Sequence, residues 1–155
     1  MNTEVRGALI FVTSLLAGCA AGAAGQPLTP AEVQTHGTMT FDAPVPKVFT
    51  AMQGALKSEG YQIAIADPNK GLIKTDRKLV RAQAVGNQYV AQAVEATRQY
   101  VVTLKGEGAH TTVVAEPRVF MGDRDLSSET VWDLEGPMGE RKLWSQLFRD
   151  VKEAL

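Results

Sequence analysis

Residues on which chemistry is usually built are scarce in this chain. Its 155 residues include one cysteine, Cys19, and two histidines, His36 and His110. A single cysteine excludes an internal disulfide framework, and the two distant histidines lack zinc-ligand spacing. Charge of one sign is not in excess either: 16 Lys and Arg stand against 17 Asp and Glu. That balance leaves no electrostatic footprint for nucleic acid, so no nucleic-acid partner is expected. Long apolar runs are missing as well. The run Ala8–Gly18 would span roughly 17 Å as a helix, short of a hydrocarbon core about 30 Å thick. What remains is an ordinary globular composition, 45% hydrophobic and 21% charged, enough for one core without metal or disulfide staples.

The strongest signal lies at the N-terminus. A short polar start carrying Arg6, partly offset by Glu4, precedes the uncharged run Ala8–Gly18, which ends in small residues. That pattern is a secretory signal peptide over residues 1–18. Its end, Leu16-Ala17-Gly18-Cys19, resembles the lipobox of bacterial lipoproteins. The resemblance implies that the Cys19 thiol receives a diacylglyceryl group. Signal peptidase II then recognises Leu16, Ala17 and Gly18 and cleaves before the cysteine. Two or three acyl chains, at about 0.8 kcal/mol per buried methylene, hold a protein at a membrane where one chain does not. In Gram-negative lipoproteins an Asp after the cysteine commonly signals inner-membrane retention; Ala20 there implies outer-membrane sorting, with the domain facing the periplasm.

Residues 19–35 read as a flexible tether, because Ala, Gly and Pro bury too little surface to offset chain entropy. Thr29-Pro30-Ala31-Glu32 within it suits a helix start. A globular domain is expected over 36–155. Thr38–Phe41 is β-prone, and Val45, Val48, Phe49, Met52 and Leu56 recur at helical spacing between Pro46 and Gly60. Tyr61–Ala66 and Leu72–Asp76, around the turn cluster Asp67–Gly71, predict an antiparallel hairpin.

The Ala/Gln-rich stretch 77–96 fits a helix or a second hairpin. Extended structure is favoured, turning at Gly86-Asn87 with 80–85 facing 89–94. Arg98–Leu104 and His110–Met121 predict two further strands, with Pro117 marking a bulge or an edge. A polar loop, Gly122–Glu129, follows. Leu143, Leu147 and Val151, with Trp144, Phe148 and Leu155, then form a closing helix after Gly136-Pro137. The predicted fold class is α+β, an antiparallel sheet with two helices packed on one face.

Met39–Pro44, the helix through Phe49 and Leu56, Gly60–Ile63 and Gly71–Asp76 together resemble the globular domains of BamC-like lipoproteins. The resemblance spans roughly residues 38–155. It implies a sheet gripping a helix and envelope binding or assembly roles, with no catalytic residues and no functional residue to carry over.

The search for chemistry is consistent with that. His36 and His110 fall at loop positions rather than beside a nucleophile. Asp123, Asp125 and Ser127 resemble the front of a calcium loop, but Ser128 and Leu134 stand where such a loop needs Gly and Glu. No metal, cofactor or catalytic residue is expected. The candidate partner surface is the basic cluster Arg77, Lys78 and Arg81 together with Trp132. The expected function is that of a non-catalytic outer-membrane lipoprotein, a scaffold or accessory factor binding another envelope protein. The alternative is a module holding a small amphiphile between sheet and helices.

Overall fold

The structure is a computed structural model and describes residues 26–87, 90–128, 131–132 and 139–155. The expected signal peptide, the lipobox and the Gly136-Pro137 break lie outside the described residues. In chain order the elements are β1 (Gln26–Pro27), α1 (Pro30–His36), β2 (Thr38–Phe41), α2 (Val45–Ser58), β3 (Ile63–Asp67) and β4 (Leu72–Thr75). Then come β5 (Lys78–Asn87), β6 (Val90–Glu107), β7 (His110–Met121), β8 (Arg124–Asp125), β9 (Val131–Trp132) and α3 (Glu140–Glu153). The main sheet is antiparallel in the order β2-β7-β6-β4-β3, with β5 added to β6 and β8 to β7; β1 and β9 make a separate two-stranded pair. The fold is α+β, with α2 and α3 sharing one core against one sheet face.

Strand alternation builds that face. Tyr100, Val102 and Leu104 of β6, Val113 and Ala115 of β7 and Ile73 of β4 all point inward and are buried. Opposite them lie Val48, Phe49, Met52 and Leu56 of α2 and Trp144, Leu147, Phe148 and Val151 of α3. Phe41 meets the Phe148 ring edge-on at 6.2 Å, and the Trp144 Nε1–H donates to the Ala115 carbonyl at 2.9 Å. A buried indole thus keeps its polar end satisfied.

Local signals set the ends of these elements. Pro46 sits in the first turn of α2. At the other end Gly60, at φ 80°, closes a Schellman cap in which the Tyr61 amide donates to the Leu56 carbonyl at 2.9 Å. Gly71, at φ 59°, turns the β3–β4 hairpin so closely against β6 that an added Cβ would lie 2.2 Å from the Leu104 carbonyl oxygen. Only glycine fits there.

Several boundaries differ from expectation. The folded domain begins before residue 36, so the C-terminal part of the expected 19–35 tether belongs to the domain. Thr29 caps α1 by accepting from the Glu32 amide, and Leu28 and Val33 pack on the core. Glu32 is further held by Arg141 of α3, whose Nη2 donates to Oε2 at 3.1 Å. Within stretch 77–96, Lys78–Asn87 and the part of β6 from Val90 are extended, as favoured, but Gly86 and Asn87 do not turn the chain. They pair with Ala91 and Val90. A nine-pair register outweighs a local turn signal. The strands expected at 89–94 and 98–104 are one continuous β6. The 122–129 loop contains the short strand β8.

Pro117 is in register opposite Tyr100 with no bulge. The amides two residues either side, Ala115 and Val119, donate away from β6, to Gly37 and Ser127. The donor that Pro117 lacks therefore belongs to the edge beyond β2, where the ladder needs none.

Candidate functional site

β6 changes partner along its length, and that change organises the candidate site. From Val101 to Thr103 it pairs with β4; from Val90 to Arg98 it pairs with β5. On its other side β7 reaches only as far as Ala96, opposite Met121. Beyond that point β5 and β6 run on as a two-stranded arm. Among the described residues no strand pairs with the outer edge of β5, nor with β6 over Val90–Glu95.

Side chains fill the step where β4 gives way to β5. The Thr75 hydroxyl accepts from the Tyr100 amide at 2.9 Å, and Gln99 Nε2 donates to the Thr75 carbonyl at 2.7 Å. Both residues are buried. They replace ladder bonds that the strands do not make across this step.

Beside the step a buried polar network clamps the root of the arm to α3. Arg98, opposite Lys78 in the β5–β6 register, donates from Nη1 to Glu140 Oε2 at 2.9 Å and from Nε to the Tyr61 hydroxyl at 2.7 Å. Tyr100 donates its hydroxyl to the other Glu140 oxygen. Glu140 is only 2% exposed. Its place in the first turn of α3 also suits a carboxylate, since unpaired amides and the helix dipole favour negative charge there. Tyr61 and Tyr100 meet edge to face at 5.3 Å.

Burial pushes Glu140 up from its ordinary 4.5, an effect that Arg98 and the Tyr100 hydroxyl oppose without cancelling. Burial works against the charge of Arg98 too, but the oxygens of Tyr100, Glu140 and Tyr61 outweigh it and hold the guanidinium protonated. Burial also raises both tyrosines, which stay neutral hydrogen-bonding groups. The hollow beside the network, between Leu56, Tyr61, Arg98, Tyr100, Leu143 and Leu147, holds about 90 Å³. That is well below the several hundred Å³ of a small-molecule site.

Within the expected partner cluster, Arg77 and Lys78 make different contacts. Arg77 stacks on the Phe120 ring, 3.8 Å from its centroid, and donates to the Gly122 carbonyl at 3.0 Å. Lys78 instead donates to the Glu59 carbonyl and lies 5.0 Å over the Tyr61 ring. Arg77 lies in the step before β5 and Lys78 opens the strand, and the two side chains go to different neighbours. Arg81 lies on β5 and Trp132 on β9, opposite Gln26, in a different sheet. Leu16, Ala17, Gly18 and Cys19 lie outside the described residues.

The remaining polar candidates are occupied by neighbours. His110 Nδ1 is 2.8 Å from Asp42, and His36 Nε2 is 3.7 Å from Glu32. Asp125 accepts from the Ser127 hydroxyl and amide, in that order the main causes that hold its carboxyl below the usual range. Asp123 faces Arg77 at 3.4 Å.

An open groove of about 1000 Å³ runs between α2 and the C-terminal end of α3. It is lined by Ala51, Gly54, Ala55 and Ser58 and bordered by Asp150 and Glu153.

Sequence reasoning missed the Arg98–Glu140 clamp. The signal was strand parity: Arg98 shares a face with Tyr100, Val102 and Leu104, so an arginine stands on the inward side.

No family model matches the chain, and no curated protein matches it. Among solved structures, it is similar to a crystal structure of a DUF4468 family protein from Bacteroides ovatus, at 14% identity and a TM-score of 0.36, over 76% of this chain and 77% of that one.

Proposed function

We propose that this chain is a lipoprotein anchored at the outer membrane through Cys19, with a periplasm-facing domain that binds another envelope protein as a scaffold or accessory factor. The observation that carries the reading is Leu16-Ala17-Gly18-Cys19 at the end of an uncharged run. The filled interior supports a role played at the surface. Phe49, Met52, Trp144 and Phe148 occupy the space between helices and sheet and are at most 5% exposed. The fractionation of Cys19→Ala tests the anchor. The variant is expected to leave the membrane fraction for the soluble periplasm, and unchanged fractionation contradicts the anchor. Crosslinking the anchored protein in cells is expected to capture an envelope protein; recovery of none contradicts the binding role.

A second reading, a module for a small amphiphile, draws on the groove along α2 rather than on the interior. Its apolar floor of Ala51, Gly54 and Ala55 is open to solvent along one side. Gly54→Leu would fill that floor. Loss of binding of a fluorescent fatty acid by this variant alone supports this reading, and no binding by the unsubstituted chain dismisses it.

A further inference from the structure

The outer edge of β5 calls for an occupant of definite chemistry. A strand edge presents alternating amides and carbonyls, and only another extended chain satisfies them in series. Over Lys78–Asn87 this edge is ten residues long. The unpaired stretch of β6, Val90–Glu95, is shorter.

Other edges of the main sheet are blunted in familiar ways. β2 has four residues, and β3 has five with a register shift between Ile63 and Ile65 followed by Asp67-Pro68. The register shift of β5 falls between Leu79 and Arg81, at its root, so 81–87 pairs regularly with β6. From Ala82 to Val94 there is no Lys, Arg, Asp, Glu or Pro. The residues that natural edges use to repel a second strand are therefore absent from Ala82 to Val94. At the root, Leu79 and Val80 are 52% and 44% exposed, which leaves apolar surface beside the open edge.

We propose that the outer edge of β5 pairs antiparallel with the same edge of a second copy of this chain, joining two arms into a four-stranded sheet. Neutrality selects this occupant. A two-fold axis at Gln83 sets Ala82 opposite Ala84 and Arg81 opposite Val85, so no like charges meet. The contact uses the same patch on both copies and closes at two. It also relieves the arm of standing as an isolated two-stranded ribbon, a structure with marginal stability by itself. Lys78 and Arg81 would disfavour a basic partner strand but impose nothing on this symmetric pairing. The inference does not depend on the membrane anchor.

Cysteine scanning of the full chain in cells tests it. Ala82→Cys, Gln83→Cys, Ala84→Cys and Val85→Cys are each placed in a Cys19→Ala background, with Ile65→Cys on the β3 edge as the comparison. After mild oxidation a disulfide-linked dimer is expected at the position nearest the axis, falling off on either side, with none at Ile65. No dimer at any of the four positions, or an equal yield at Ile65, overturns the proposal. Sedimentation equilibrium of the same background chain is expected to give twice the chain mass. Ala84→Pro, which removes a donor from the edge, is expected to give the mass of one chain that still unfolds in one cooperative transition. A single-chain mass for the parent, or a dimer that survives Ala84→Pro, also overturns it, whatever other strand binds the arm.

Discussion

The two halves of β6 are one strand in two settings. Tyr100, Val102 and Leu104 lie between β4 and β7 beneath both helices, and their inward side chains are buried. Val90–Glu95 have β5 on one side and no strand on the other among the described residues. The sequence follows this division. The buried half reads Tyr-Val-Val-Thr-Leu, whereas the arm reads Val-Ala-Gln-Ala-Val-Glu. β-Branched and aromatic residues suit a strand that packs on something; Ala and Gln bring no such preference. A strand can thus extend past its core, at the cost of the side-chain burial that stabilises it. The Arg98–Glu140 clamp lies where one regime becomes the other.

Removing the clamp or emptying the core should have the largest effects. Glu140→Ala leaves the Arg98 charge and the Tyr100 hydroxyl buried without their partner, and should cost about 3–5 kcal/mol in urea unfolding. Phe148→Ala removes an aromatic ring from between α2, β2 and the sheet, and a loss of about 3–5 kcal/mol is expected by the same assay. Equal sensitivity at arm positions would break the comparison: Ala84→Ser and Gln92→Ser should each stay within about 0.5 kcal/mol.

Much of the core half was legible in the sequence because its signals are local and repeated. The stripe Val48, Phe49, Met52, Leu56 between Pro46 and Gly60 specifies α2 completely, and Asp67–Gly71 between alternating runs specifies the β3–β4 hairpin. Trp144, Leu147, Phe148 and Val151 do the same for α3. The clamp was harder to foresee because Arg98 and Glu140 are far apart in sequence, and nothing local says that they meet. The pairing of Glu32 with Arg141, which draws α1 into the domain, was hidden for the same reason. In the arm the difficulty was compositional: Ala and Gln fit helix and strand alike, so pairing with β5 decided the outcome. Arg77 and Lys78 looked like one patch because charge is read along the chain, while in the fold one meets Phe120 and the other Tyr61.

Acid titration offers a subtler separation within the folded body. Glu140 binds its proton more tightly folded than unfolded, so its contribution to stability declines as pH rises from about 4.5 through its folded value. Glu32 has the opposite sign. The hydrogen bond from Arg141 lowers it, so its contribution is present above about 4.5 and is lost as pH falls through its folded value. In melting temperatures measured across this range, Glu140→Gln should remove the decline and Glu32→Gln should remove the acid-side loss. Same-direction changes in the two variants would contradict the assignment.

The smallest expected effect is a gain. Gly54 is exposed within α2, and an added Cβ there meets nothing within 4 Å. Gly54→Ala should therefore stabilise the domain by about 0.5–1 kcal/mol in urea unfolding. A loss would contradict the open space beside Gly54.

Residue-resolved amide exchange of the full chain tests the division between body and arm most directly. Amides of Val102, Leu104 and Val113 should exchange only through global unfolding. The outward amides of residues 81–87 should exchange orders of magnitude faster in dilute protein and slow as concentration rises. Arm amides as protected as Val102 at every dilution would contradict the account, because β5 would then belong to the closed body of the fold.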